Sequence, residues 1–351
     1  MKEKIINLCL IAVMLMSLFG KPIGLNVKVK LIDSFKQNSF NNLDYTIHTK
    51  LVWINNELYY SYLSKKDTSL VFFPLTRATN GNSITLKSIT GINAKFSWPI
   101  SFCYYKDTIA LLFYDRQFKS AHLALLNNEG GVISYQSIFY HRHVYINDNI
   151  DYIEGKLYIF SSTNEIGCTS YVNRYCDDVY MNKNGSFVAV GTSGVYPEKY
   201  FNSYVHLNDF FRIALKSGNI VYIFKGDDTI VKCSNGNLFK QYSKIKGYEK
   251  DELPFDTSQM RNMRYINSYI RLTGQNEQCF YDGNSMIYII KRLKRNSITD
   301  IEKRVLIALD TNMIFKYELP VDGGFYYSDS KYLYYKKYKD SIINKYTLMY
   351  E

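Results

Sequence analysis

Six prolines, nineteen glycines and two tryptophans among 351 residues set the first limits. So little proline and glycine excludes a collagen-like or low-complexity chain. A charged fraction of 21% beside 46% hydrophobic residues excludes a chain kept unfolded by its own charge. Two tryptophans are too few for a core anchored by tryptophan in every repeat. Six widely spread cysteines do not make the framework of a small disulfide scaffold. The mainly apolar run at 5–19 is short of the about 20 residues a membrane-spanning helix needs. Gly-x-Gly-x-x-Gly, Gly-x-x-x-x-Gly-Lys-Ser/Thr, His-Glu-x-x-His and Gly-x-Ser-x-Gly are all absent, which argues against nucleotide-dependent, zincin and α/β-hydrolase chemistry. No motif implies a cofactor.

What is present is tyrosine, 34 residues, with 21 phenylalanines and many Ile, Val and Leu. These side chains favour pleated, half-buried surfaces, so an all-β fold is expected. Forty-three Lys and Arg against 32 Asp and Glu give a net charge of +11, an attraction toward anionic surfaces, peripheral membrane contact included. The N-terminus has a short charged segment, Met1 to Lys4, then the apolar run 5–19, broken at Gly20, Lys21 and Pro22. That order is a signal peptide at 1–20, leaving 21–351 as a single exported domain, periplasmic or at the cell surface. Leu18 at position −3 fits a signal peptidase poorly, which keeps an uncleaved anchor open. Cys9 belongs to the signal, and an odd set remains: Cys103, Cys168, Cys176, Cys233 and Cys279. Cys168 and Cys176 are close enough to bridge a loop; the alternative is thiols packed as small hydrophobes.

One unit recurs six times: an apolar strand, a short polar turn and a second apolar strand. The copies are 51–54 with 58–62, 100–105 with 109–114, 150–153 with 157–160, 210–215 with 220–224, 279–281 with 286–290, and 325–327 with 332–335. Their second strands start at intervals of 51, 48, 63, 66 and 46 residues, near the repeat length of propeller blades. Five of the intervals hold a further hairpin, around 80–82, 127–131, 184–185, 235–236 and 310–312, several turning on Asn-Gly, the strongest short hairpin signal. The last unit ends with 342–350 and lacks a fourth strand on its C-terminal side, which 27–35 can supply. The expected fold is therefore a six-bladed β-propeller closed by an N-terminal strand, leaving no exposed sheet edge between first and last blades. Two stacked sandwiches divided near 196–205 are the structural rival.

These units, the export signal, the stretch Leu123 to Gly130 (LALLNNEG), the stretch Tyr265 to Arg271 (YINSYIR) and the closing Tyr-rich blade resemble uncharacterised exported six-bladed propeller proteins of gut-type Gram-negative bacteria. The resemblance covers most of the mature chain. It implies a fold and a compartment without implying a reaction.

Candidate sites come from scattered side chains. His141 and His143 lie two apart, on one face of a strand, and can share a metal ion; the alternative is a polar interblade loop. Asp177 with Asp178 and Asp227 with Asp228 are expected as tight-turn residues, since adjacent carboxylates on a strand face opposite ways. Lys291, Arg292, Lys294 and Arg295 are the densest basic stretch, expected in a long loop of blade five, where they can grip an anionic polymer or simply face solvent. Arg264 and Arg271 interleave with Tyr265 and Tyr269, a composition suited to stacking on sugars and bonding acidic groups. The alternative is an interblade strand packing its tyrosines. No nucleic-acid-binding signature is present, so glycan or protein partners are expected. The sequence therefore points to a monomeric, non-enzymatic binding or scaffold module contacting a protein or an anionic glycan. A polysaccharide lyase or a hydrolase or lactonase working near the central channel is the enzymatic alternative.

Overall fold

The computed structural model describes residues 27–36, 46–54, 57–64, 69–74, 82–85, 97–105, 107–115, 120–127, 129–138, 150–160, 175–197, 210–234, 237–244, 256–259, 262–337 and 342–350. The expected export signal, His141, His143 and Cys168 lie outside these residues.

Most of the described residues are strand, arranged as four-stranded antiparallel sheets in which consecutive strands pair. The first sheet holds β2 (Thr46–Ile54), β3 (Glu57–Ser64), β4 (Ser69–Pro74) and β5 (Asn82–Thr85). The second holds β6 (Ser97–Tyr105), β7 (Thr108–Asp115), β8 (Ser120–Asn127) and β9 (Val132–Ile138). The third holds β10 (Ile150–Ile153), β11 (Lys156–Phe160), β12 (Asp177–Lys183) and β13 (Ser186–Ser193). The fourth is β14 (Phe210–Ala214), β15 (Ile220–Phe224), β16 (Thr229–Ser234) and β17 (Asn237–Lys244). The fifth is β18 (Gln275–Tyr281), β19 (Met286–Arg292), β20 (Arg304–Asp310) and β21 (Phe315–Val321). In the last, β22 (Gly324–Ser328), β23 (Leu333–Lys337) and β24 (Ile342–Tyr350) are joined by β1 (Val27–Lys36), which runs antiparallel to β24 from Val27 opposite Tyr350. Among the described residues the sheet order offers no counterpart to two large sandwich layers.

The second strands show why these sequences make this fold. In β15, every residue from Ile220 to Phe224 is buried. Ile220, Tyr222 and Phe224 enter a core shared with the third sheet, while Val221 and Ile223 enter one shared with the fifth. Likewise Ile287 and Ile289 of β19 face the fourth sheet, and Tyr288 and Ile290 face the last. In β7, Ile109 and Leu111 face the first sheet, and Ala110 and Leu112 the third. A strand alternates its side chains between two faces. Where both faces meet a neighbouring sheet, the strand reads as an unbroken apolar run. Each such Ile or Leu contributes about 1.5–3 kcal/mol by leaving water. Last strands show the opposite pattern, with Val188 and Val190 of β13 exposed.

Turn chemistry matches. At the β12–β13 hairpin Asn184 and Gly185 both have positive φ, 54° and 87°, and the Asn182 side chain accepts from the Gly185 N–H at 2.9 Å. Two positive φ values in succession fit the right-handed twist of a hairpin, which is why Asn-Gly marks it. Aspartate does the capping in the later sheets: Oδ1 of Asp282 accepts from the N–H groups of Asn284, Ser285 and Met286, and Oδ1 of Asp310 from those of Asn312 and Ile314.

Candidate functional site

Because each sheet is a simple meander, connections from first to second and third to fourth strand fall at one end, and those from second to third strand and onward to the next sheet fall at the other. The first end has tight turns such as 154–155 and 184–185. The second end takes the chain between Phe160 and Asp177, Ser193 and Phe210, Lys244 and Gln275, and Arg292 and Arg304. The long connections thus share one end, and the charged clusters lie beside them.

The corner between the fourth and fifth sheets lies at that end. It carries an α-helix, α1 (Met263–Leu272), so the strip of Arg264, Tyr265, Tyr269 and Arg271 lies on a helix and not on the interblade strand that was its alternative. The four-residue spacing of Tyr265 and Tyr269 suits a helix, on which they sit one turn apart with ring centroids separated by 6.2 Å. Asn262 starts α1, its side chain accepting from the N–H groups of Arg264 at 3.1 Å and Tyr265 at 3.2 Å. Ile266 is buried under α1, and the Tyr265 hydroxyl accepts from the Asp256 N–H at 2.7 Å. Arg264, Asn267 and Arg271 remain exposed.

The second basic group is corrected in its placement. Lys291 and Arg292 complete β19 instead of lying in a loop, and with Arg295 they are buried; only Lys294 of the four is exposed. Burial of a cation demands a partner, and each has one. Lys291 Nζ lies 2.6 Å from Asp228 Oδ1, a pair whose side chains are 2% and 4% exposed. Arg292 donates from Nη2 to the carbonyls of Ile270 and Thr273. Arg295 donates to the Arg271 carbonyl from Nε at 3.1 Å and Nη2 at 2.7 Å, and its own N–H donates to the Leu272 carbonyl. The last carbonyls of α1, which have no partner within a helix, are therefore capped by the two arginines. The structure thus brings together the two basic groups that the sequence offers separately. Arg304, Glu277 and Glu302 complete the cluster: Arg304 Nε lies 2.7 Å from Glu277, and its Nη2 lies 2.6 Å from Glu302. Burial would raise the Glu302 carboxyl, but Arg304, Arg295 and Arg292 outweigh it and hold the group below its usual range.

Two acidic pairs divide. Asp227 and Asp228 do occupy a turn, and the Asp227 carboxylate accepts from the Thr229 N–H at 2.7 Å. Asp177 is corrected: it opens β12 and is fully buried. Arg212 of β14 grips it through Nε, at 2.8 Å, and Nη2. Arg212 also reaches Asp151 at 2.5 Å from Nη1, and the Tyr222 hydroxyl donates to Asp177 at 2.7 Å. This cluster ties the third sheet to the fourth. The Tyr158 phenol beside it is pushed up to about 12, chiefly by burial and then by the Asp177 charge. The local sequence gave no sign of Arg212, since its partners lie 35 and 61 residues away.

Among the described residues no group of three His, Cys, Asp or Glu side chains is placed to hold a metal ion. No described helix is long and apolar enough to cross a membrane. Cys176 is buried against Gly194 and Tyr222; its proposed partner Cys168 is outside the described residues.

The sheets and their edge-to-core packing define an all-β, propeller-like protein. Among solved structures, a member of the DUF4221 family from Bacteroides vulgatus is similar, with a TM-score of 0.65 at 10% identity over 93% of this chain and 99% of that one. A protein of unknown function from Bacteroides caccae reaches 0.41 at 13% identity over 76% and 78% of the two chains. The WD40 domain of Pan2 from Neurospora crassa reaches 0.46 at 8% identity over 91% and 95%. No family model and no curated protein matches the chain. The likeness to propeller proteins of gut-type Gram-negative bacteria, expected from residues 123–130 and 265–271, holds at the level of fold.

Proposed function

We propose that this chain is an exported, non-enzymatic binding module: a six-bladed propeller closed by β1, whose long-connection end contacts an anionic glycan. Closure is supported by the pairing of β1 with β24 and by apolar cores that link each sheet to the next from first to last. The observation that carries the binding role is the charge surplus at the α1 corner. Between residues 262 and 304 stand eight Lys and Arg against four Asp and Glu, leaving +4. Four of the eight, Arg264, Arg271, Lys294 and Lys303, are exposed. A rigid scaffold holding cations at a surface lowers the ordering cost of binding an acidic polymer.

The test is retention of purified 21–351 on acidic and neutral glycans at low and high salt, with R264E/R271E/K294E as the surface variant. Expected are salt-sensitive retention on acidic glycans and its loss in the variant, which keeps every buried ion pair. Absence of retention on any glycan overturns the glycan reading in favour of a protein partner.

A further inference from the structure

Three guanidinium groups converge on one half-exposed carboxylate. Glu302 lies 3.2 Å from Arg295, 3.8 Å from Arg292 and 2.6 Å from Arg304. The three arginines are positioned largely without it. Carbonyls at the end of α1 hold Arg292 and Arg295, the Ile298 and Asp300 carbonyls hold the other side of Arg295, and Glu277 holds Arg304 at 2.7 Å. Without Glu302 the cluster would carry three positive charges against the single negative charge of Glu277. Arg292 Nε, in a side chain only 9% exposed, has no hydrogen-bond partner among the described residues, and its nearest carboxylate oxygen is 3.6 Å away on Glu277. Such a buried, unfilled donor is costly unless something accepts from it. Glu302 itself sits on the segment between β19 and β20, where residues 296–303 are all exposed. The cradle is fixed, while the group that fills it is carried on a surface segment.

We propose that Arg292, Arg295 and Arg304 form a binding site for the oxyanion of an acidic sugar, carboxylate or sulfate, and that Glu302 fills this site as an internal surrogate which the ligand displaces. Guanidinium forks suit such groups because they bond planar or tetrahedral oxyanions through two or more N–H donors at once. The site deepens the proposed glycan reading and rests on it for the class of ligand. Exposed cations on α1 would attract the polymer, and the cradle would select one charged substituent. Displacement of Glu302 would then register that substituent.

The experiment is calorimetric titration of the full chain and its Glu302→Gln variant with sodium sulfate, glucuronate and glucose at constant ionic strength. E302Q is expected to bind one sulfate or one glucuronate about tenfold or more tightly than the parent, the ~1.4 kcal/mol of one charge-assisted hydrogen bond. Glucose should show no gain. Gain with glucuronate assigns a carboxylate, and gain with sulfate alone assigns a sulfate ester. Arg295→Met in the E302Q background should remove the gain. Equal anion affinity in E302Q and parent, or a gain that survives R295M, overturns the proposal. Should E302Q not fold, the parent decides: a saturable rise in Tm with sulfate beyond that with chloride supports the site, and equal rises overturn it. Failure of the surface reading is separable. Glycan retention unchanged in R264E/R271E/K294E alongside a gain in E302Q would remove the α1 surface and leave the cradle.

Discussion

At Gly194 the backbone has φ of 67°, and a Cβ there would lie 2.9 Å from both Cys176 Cβ and the Tyr222 ring. Two costs coincide, a left-handed conformation that L residues avoid by about 1–2 kcal/mol and overpacking of about 1–3 kcal/mol. Gly185 isolates the first, since φ is 87° but nothing lies within 4 Å of its missing Cβ. Urea unfolding should therefore show Gly194→Ala losing about 2–5 kcal/mol, the sum of these costs, and Gly185→Ala losing only the conformational share. Equal losses would mean that the space at Gly194 is not tight. Arg212 poses the complementary case, a buried charge and not a buried methyl. With Asp177 fully buried, Arg212→Met strands a carboxylate in the interface between the third and fourth sheets, a change that costs about 3–5 kcal/mol in comparable pairs. Adding Asp177→Asn should recover part of that loss, because the stranded charge is then gone. A double variant no more stable than R212M would show that Arg212 acts by packing over Tyr158 and Phe210.

Elements are joined by side chains that reach backbone. Gln278 of β18 donates from Nε2 to the Tyr326 carbonyl and accepts from the Tyr326 N–H at 3.1 Å, clamping the fifth sheet to the last. Gln136 does the same to Phe187 between the second and third sheets. Gln278→Ala leaves both groups of Tyr326 without these bonds, so chemical denaturation should register a loss of about 1–3 kcal/mol. For α1 the weak point is its first turn: Asn262→Ala should cost ~1 kcal/mol, and Asn262→Asp should retain most of the stability. The strands were legible because both-face burial writes an unbroken apolar run and Asn-Gly writes a hairpin. Helix α1 was also written, in the Asn262 cap and the four-residue spacing of Tyr265 and Tyr269, but its Arg and Tyr content reads equally as a binding strip. The ion pairs were not legible. Lys291 finds Asp228 across 63 residues, and Lys291 and Arg292 look like a solvated basic stretch until the sheet packing buries them.

Across the whole molecule, tyrosine takes the role that tryptophan or phenylalanine fills in other cores. Tyr222, Tyr288 and Tyr317 are buried between sheets, and within the last sheet the buried Tyr327 stacks on the buried Tyr334 with centroids 4.8 Å apart. A tyrosine can be packed like phenylalanine while its hydroxyl finds a polar partner. Tyr222 donates to Asp177, Tyr334 to Asp329 at 2.7 Å, and Tyr326 to the Asp322 carbonyl. Burial makes the charged phenolate costly, and it moves Tyr158 and Tyr180 from the ordinary 10.0 to about 12 in the folded chain, with Asp177 and Asp178 adding to the respective shifts. Tyr222 and Tyr327 are moved in the same direction, again chiefly by burial. A raised folded pKa means that the unfolded chain releases these protons first. The stability they support is complete below pH 10 and is lost as pH rises from 10 toward 12, the window set by Tyr158 and Tyr180. The buried set should ionise together with the loss of strand signal, in a step steeper than one proton allows. Parallel titrations of tyrosinate absorbance and far-ultraviolet circular dichroism check this. Coincident steps place the tyrosines in the cooperative core, whereas full ionisation with the strands intact would mean that the inter-sheet cores admit water.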